Sequence, residues 1–145
     1  MRRAFFLSLF LVVFSSPAVS VSADNSPDIE IENAWARALP AVAVNGAAYM
    51  QIRNTGASDT LLGASSAIAN SVEVHNHIHE NGVMKMVHLD TLEIASDSTV
   101  NFKPGGLHIM LLGLNEPLTV GKKFTLNLEF EKSGEQTITV EVRKQ

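Results

Sequence analysis

The sequence predicts an all-β protein, a sandwich or barrel of short strands, and three observations support that prediction. Apolar and polar residues alternate over runs of four to eight residues, which is the pattern of a half-buried strand. Clusters of Gly, Pro, Asn and Asp separate these runs at fairly regular intervals. After residue 23, no stretch has the period of a long amphipathic helix. Many short strands separated by such turns are typical of sandwiches and barrels.

The alternating runs predict eight strands. In chain order they are Ala47–Arg53, Asp59–Ala64, Val72–His79, Val83–Leu89, Thr99–Phe102, Leu107–Leu112, Lys123–Phe130 and Thr137–Val142. Asn81-Gly82 lies between the third and fourth runs and is a strong signal for a two-residue hairpin turn. Residues 103–106, Lys-Pro-Gly-Gly, form a second turn cluster. Met50 and Trp35 are expected to be packing residues.

Composition indicates a single globular domain. The chain has 145 residues, of which 46% are hydrophobic and 18% are charged, too apolar for a disordered chain. The formal charge of −4 argues against nucleic acid as a partner, because phosphate backbones select Lys and Arg. Cysteine is absent, which excludes disulfides, thiolate zinc sites, iron–sulfur clusters and the Cys-dependent blue-copper site. A bound metal would need His, Met, carboxylate or backbone ligands.

Residues 1–23 have the features of a cleaved signal peptide. Two arginines precede the 11-residue apolar run Ala4–Phe14, and residues 21–23, Val-Ser-Ala, resemble a cleavage site. A bilayer-spanning helix needs about 20 apolar residues, so this run is too short. We therefore expect export, no stable membrane insertion after cleavage, and one domain over residues 24–145. No lipoprotein anchor is expected, since no Cys follows the cleavage site.

Potential metal ligands are concentrated in the predicted hairpin. All five histidines lie between His75 and His108, and three of the four methionines after residue 23 lie there too. A type I′ turn at Asn81-Gly82 makes the residue numbers of each cross-strand pair sum to 163. One face then carries His75, His77, His79, Met84, Met86 and His88. The other face, with Val72, Val74, Ile78, Val83, Val87 and Leu89, is expected to pack on the core.

A second pair of potential ligands lies on the run Leu107–Leu112. Its apolar residues alternate with His108 and Met110, which are therefore expected to face outward. Within the hairpin, His75 and Met86 are diagonal neighbours at roughly 7–8 Å, close enough to share one ion. Imidazole and thioether ligands favour Cu(I), whereas carboxylates and carbonyls favour Mg²⁺ and Ca²⁺.

Four of these residues have a spacing that resembles the H-x10-M-x21-H-x-M signature of the periplasmic copper chaperone family PCu(A)C. They are His75, Met86, His108 and Met110. The residues around them resemble the family as well, at 34–37, 53–56 and 103–111, and the resemblance covers about residues 29–143. It implies a cupredoxin-like β-sandwich of short strands with Greek-key connections. It also implies that these four residues bind one Cu(I) near the surface.

The resemblance further implies a role and partners. Family members are thought to pass copper to the dinuclear CuA centre of cytochrome c oxidase, often alongside Sco-type thiol proteins. The expected partner is therefore oxidase subunit II or a Sco-type protein, and we expect a periplasmic monomer without enzymatic activity. Two departures are Asn76, where some members have a second Met, and the lack of a His/Met-rich C-terminal tail. An auxiliary copper site, with Cu(II) as its candidate ion, is predicted from His77, His79, Met84 and His88.

Three other functions stay open from the sequence. A copper-sequestering or storage protein would use the same ligands and differ only in what receives the ion. A copper redox enzyme is disfavoured, because Cys is absent and the predicted mature chain does not begin with His. In an adhesion or interaction sandwich the His cluster would be incidental, and His77, His79 and His88 taken singly fit that solvated alternative. The hydrolase motifs Gly-x-Ser-x-Gly and His-Glu-x-x-His do not occur.

Overall fold

A computed structural model describes residues 25–144, and every regular element that it describes is a β-strand. The predicted signal peptide, residues 1–23, lies outside the described residues. The strands are β1 (Ile29–Arg37), β2 (Asn45–Asn54), β3 (Asp59–Ser65), β4 (Ala69–Glu80), β5 (Val83–His88), β6 (Leu92–Ile94), β7 (Ser98–Asn101), β8 (His108–Leu114), β9 (Lys123–Phe130) and β10 (Gly134–Arg143). Residues 25–144 contain no helix with the length and apolarity needed to cross a membrane.

The strands form one hydrogen-bonded path that encloses a single core. Their order is β5-β4-β8-β2-β1-β10-β9-β3-β6, and β7 pairs with β2 beside this path. Neighbours are antiparallel except β1 and β10, which are parallel. Ile109 and Leu111 of β8 belong to the same buried cluster as Leu126 and Leu128 of β9, so both halves of the path contribute to the core. The prediction of an all-β sandwich is confirmed.

Two strands of the structure, β1 and β6, are not among the eight predicted from the sequence. The pairing of β1 with β2 shifts register between Glu32 and Trp35, where Asn33 has a positive φ of 54°. This β-bulge interrupts the period-two alternation by which a strand is recognised. Strand β6 has only three residues, too few for alternation to be visible.

The two predicted packing residues on β1 and β2 do pack. Met50 is 1% exposed and belongs to the core cluster. Trp35 is half-buried, with its ring centroid 4.7 Å from that of Tyr49.

Strands β4 and β5 form the predicted hairpin. Asn81 and Gly82 have φ values of 53° and 75°, as a type I′ turn requires. The cross-strand pairs are those predicted: His75 with His88, His77 with Met86, and His79 with Met84.

The prediction that one face of this hairpin packs on the core along its whole length is wrong for the distal half. Val74 is buried, but Ile78 and Val83 are 38% and 56% exposed. Strand β4 pairs with β8 only as far as His75, and the His77 N–H still donates to the Gly106 carbonyl. From Ile78 onward only β5 lies beside β4. The distal half is therefore a two-stranded ribbon that projects beyond the sandwich.

Asp59 ties β3 to the turn between β9 and β10. Its carboxylate is 1% exposed and accepts hydrogen bonds from three backbone N–H groups and from the Ser133 hydroxyl. Burial raises the pKa of Asp59, but the hydrogen bonds from Ser133, Lys132 and Thr60 outweigh burial and hold the pKa below 3.8. The folded protein thus stabilises the ionised carboxylate.

Replacing Asp59 with Asn is expected to lower the free energy of unfolding at pH 7 by roughly 2–4 kcal/mol, because an amide nitrogen cannot accept these N–H groups. Urea denaturation measures the loss. Since the folded pKa lies below the unfolded value, the carboxylate stabilises fully above about pH 4 and loses its effect as pH falls through the folded pKa. The difference between wild type and variant should therefore shrink below about pH 4.

The control for this experiment is Asp90→Asn, because the Asp90 side chain is almost fully exposed. We expect this control to change stability by less than about 0.5 kcal/mol. Equal stability of the two variants at pH 7 would contradict the role assigned to Asp59.

Candidate metal centre

Three adjacent strands, β5, β4 and β8, carry the predicted ligands on the face that points away from the core. We call this surface the donor face, and it consists of Glu73, His75, His77, His79, Met84, Met86, His88, His108 and Met110. His75 lies at its centre, paired with His88 on one side and His108 on the other. Met86 pairs with His77, and Met110 pairs with Glu73. The four residues of the His/Met signature therefore lie close together on neighbouring strands.

His108 is the most buried residue of the donor face, with 4% exposure. It lies on the predicted face, but the sequence predicted a ring near the surface, and its burial is a departure from that expectation. The rings of His75 and His77 lie against it, with centroid distances of 5.8 and 4.9 Å. The second pair is stacked.

The turn at residues 103–106 orients the His108 ring. Gly105 has a φ of 80°, and the Lys103 N–H donates to the carbonyl of Leu107. The carbonyl oxygen of Gly106 lies 2.9 Å from His108 Nδ1. Because a carbonyl only accepts, Nδ1 carries the proton and the lone pair on Nε2 is available to a metal ion.

The electrostatic surroundings keep His108 neutral. Burial lowers the pKa of His108 below 6.5, the hydrogen bond to Gly106 raises it, and the neighbouring His77 and His75 lower it. The net result is a pKa below the usual value for histidine. A neutral ring at physiological pH is the form that binds metal ions.

His75 is hydrogen-bonded through Nε2, whereas His108 is hydrogen-bonded through Nδ1. Its Nε2 lies 2.7 Å from Oε2 of Glu73, two residues earlier on the same strand. This hydrogen bond is the main cause that lowers the pKa of Glu73 below 4.5. The Nδ1 atom of His75 is buried and has no hydrogen-bond partner among the described residues.

A depression of about 250 Å³ lies over the donor face. Three members of the His/Met signature line it, namely Met86, His108 and Met110, and His77 joins them instead of His75. Its other wall comes from β1, β2 and the loop between them, including Arg37, Leu39 and Tyr49. The structure thus brings His77, which the sequence assigned to an auxiliary site, next to the signature residues. Only the pairing of β4 with β8 reveals this, because that pairing makes His77 a diagonal neighbour of His108.

Exposure differs strongly across the donor face. Met84 and Met86 on β5 are 52% and 49% exposed, in contrast to the buried His108 on β8. His79 and His88 are also exposed, and His88 Nδ1 lies 3.8 Å from Oδ1 of Asp90. Among residues 25–144, no three His, Asp or Glu side chains are arranged to hold a metal ion by themselves. Besides its imidazoles, the donor face offers the sulfurs of Met84, Met86 and Met110 as candidate ligands.

Comparison with known sequences shows similarity along most of the chain. The LpqE-like family, described as "Putative lipoprotein LpqE-like", matches residues 29–142. A protein from Leifsonia xyli subsp. xyli, "Putative lipoprotein Lxx21020", is 32% identical over 117 residues, which are 79% of this chain and 69% of that protein.

Comparison with solved structures shows the same fold in copper-binding domains. The copper-bound PCuAC domain from PmoF2 is 30% identical, with a TM-score of 0.67 over 81% of this chain and 93% of that domain. The solution structure of CuI-DR1885 from Deinococcus radiodurans is 27% identical, with a TM-score of 0.60 over 88% of this chain and 84% of that one. These domains have a cupredoxin-like β fold, as the sequence resemblance implied.

Proposed function

This chain belongs to the LpqE-like family, and we propose that it is a periplasmic copper chaperone. It binds one Cu(I) ion through His75, Met86, His108 and Met110, and it carries the ion without catalysing a reaction. The observation that supports this most directly is the convergence of two imidazoles and two thioethers on one face of three adjacent strands. A copper-bound PCuAC domain and a Cu(I) protein among its structural relatives support the same metal.

The donor chemistry favours Cu(I) over harder metal ions. Thioether and imidazole are soft or intermediate ligands, and Mg²⁺ or Ca²⁺ would require more oxygen donors. Neither thioether nor a neutral imidazole has to lose a proton on binding, and the lowered pKa of His108 keeps its ring in that form. A site without Cys also cannot be lost to disulfide formation in an oxidising compartment.

The site is tested by an anaerobic Cu(I) titration of residues 24–145 against a colorimetric chelator. Met86→Ala and Met84→Ala form a matched pair, since both methionines lie on β5, on the donor face, with nearly equal exposure. We expect one tightly bound Cu(I) in the wild type. Met86→Ala and His108→Ala should weaken it at least tenfold, about 1.4 kcal/mol, whereas Met84→Ala should leave it nearly unchanged.

The same titration decides between the two histidines of β4. We expect His75→Ala to weaken Cu(I) binding as strongly as His108→Ala does, and His77→Ala to weaken it less. The reverse order would replace His75 by His77 in the ligand set. No competition of the wild type with the chelator would reject the copper chaperone altogether.

Delivery of copper follows from the uneven exposure of the site. Met86 lies on β5, at the end of the strand path, so an acceptor ligand can approach the ion from that side while His108 holds it from the buried side. A thiolate is softer than a thioether and carries a charge, so transfer to a thiolate acceptor is favourable. The acceptor we propose is the CuA domain of cytochrome c oxidase subunit II or a Sco-type protein.

Transfer is measured by mixing the Cu(I)-loaded chain anaerobically with an apo CuA domain or a Sco-type protein and separating the two. We expect most of the copper on the acceptor, with both of its cysteine ligands required. Copper that stays on this chain despite an excess of either acceptor would favour the alternative function, periplasmic copper sequestration or storage.

An auxiliary site is proposed for His77, His79, Met84 and His88, of which His79, Met84 and His88 are exposed and His77 is partly buried. It would bind Cu(II) separately from the Cu(I) site, and its support is the cross-strand pairing of His79 with Met84 at the exposed hairpin end. Isothermal titration with Cu(II) tests it. The triple variant His77→Ala, His79→Ala, His88→Ala should lose Cu(II) binding, and unchanged Cu(II) binding in this variant would remove the auxiliary site.

A further inference from the structure

The contact between Glu73 and His75 has a consequence for how His75 binds an ion. Glu73 lies on the donor face between His75, two residues away on β4, and Met110, its partner on β8. Its Oε2 atom is 2.7 Å from His75 Nε2, a distance typical of a hydrogen bond to a charged group. An ionised carboxylate only accepts hydrogen bonds, so the proton of this pair belongs to Nε2.

A neutral imidazole with its proton on Nε2 has its free lone pair on Nδ1. In His75 that atom is buried and has no hydrogen-bond partner among the described residues. A buried acceptor without a partner is unfavourable, and a bound cation would satisfy it. His108 has the reverse arrangement, because its Nδ1–H donates to Gly106 and its Nε2 lone pair is free.

We propose that Glu73 is a positioning residue that makes His75 bind Cu(I) through Nδ1, while His108 binds through Nε2. This rests on the proposed function and adds a fifth residue to the site, one that touches a ligand and not the ion. A carboxylate that holds the second nitrogen of a ligating histidine fixes the ring and makes the first nitrogen more basic.

Glu73 also supplies a charge that the ligand set lacks. Two imidazoles and two thioethers are neutral, so a bound Cu(I) leaves a net charge of +1 at the donor face. The Glu73 carboxylate, held against His75 and opposite Met110, offsets that charge without entering the ligand set. Nδ1 is also closer to the backbone than Nε2, so binding through Nδ1 keeps the ion near β4.

The experiment uses two variants of Glu73 and a matched control. Glu73→Ala removes the acceptor, whereas Glu73→Gln keeps an amide oxygen that still accepts from Nε2–H but carries no charge. Glu80→Ala is the control, because Glu80 lies on the same strand, faces the opposite side of the hairpin and pairs with Lys85 at the exposed end. The readouts are long-range ¹H–¹⁵N NMR of the histidine rings, with and without Cu(I), and the Cu(I) affinity from chelator competition.

In the apo wild type we expect the His75 proton on Nε2, and on adding Cu(I) we expect the His75 Nδ1 and His108 Nε2 resonances to shift. Glu73→Ala should give a mixture of His75 tautomers and an affinity roughly 10–100-fold weaker. Glu73→Gln should keep the wild-type tautomer and lose less affinity. Glu80→Ala should match the wild type in both measurements.

Two results would overturn the positioning role while leaving the copper chaperone intact. One is a Cu(I)-dependent shift at His75 Nε2 instead of Nδ1. The other is a Glu73→Ala variant whose His75 tautomer and Cu(I) affinity equal those of Glu80→Ala. A wild-type chain that binds no Cu(I) would instead overturn the proposed function, and the inference about Glu73 with it.

Discussion

The candidate metal centre depends on the backbone pairing of β4 with β8. This pairing sets His75 beside His108 and Glu73 beside Met110, although these residues are far apart in the sequence. On the other face of the same two strands, Val74 and Ile109 are paired and buried in the core. A shift of one residue would turn the apolar side chains of the shifted strand to the donor face and its ligands to the core. The hydrophobic core and the donor face therefore specify the same register, and a change that loosens Val74 or Ile109 would also disturb the ligands.

Within this register, the hydrogen bond to each histidine ring decides which nitrogen carries the proton and which nitrogen has a free lone pair. The Gly106 carbonyl orients His108, and the Glu73 carboxylate orients His75, so one partner is backbone and the other is a side chain. Burial keeps His108 neutral, which is the form that a metal ion needs. On the proposed assignment, the sulfurs of Met86 and Met110 complete the donor set without adding charge.

The uneven exposure of the donor face follows from where the third strand ends. Next to β8, His75 is partly covered and His108 is buried, whereas residues 78–86 at the far end of the hairpin are exposed on both faces. On the proposed assignment, the ion is held from the buried side and exchanged from the exposed side, at Met86. The exposed Ile78 and Val83 are then a consequence of extending the hairpin past the core, and the ion pair of Lys85 with Glu80 keeps its end polar.

Local patterns in the sequence determined the strands whose apolar and polar residues alternate without interruption. They also determined the register of the β4–β5 hairpin, because a type I′ turn at Asn81-Gly82 relates residues that are neighbours along the chain. Alternation also determined that His108 and Met110 share the face opposite to Ile109. Strand β1 was missed because a bulge at Asn33 breaks its period. Only the tertiary structure decided that β4 lies beside β8, that His108 is buried and that His77 stacks on it. Those features arise from pairing between distant segments, which depends on how the whole core packs and leaves no periodic signal in either segment alone.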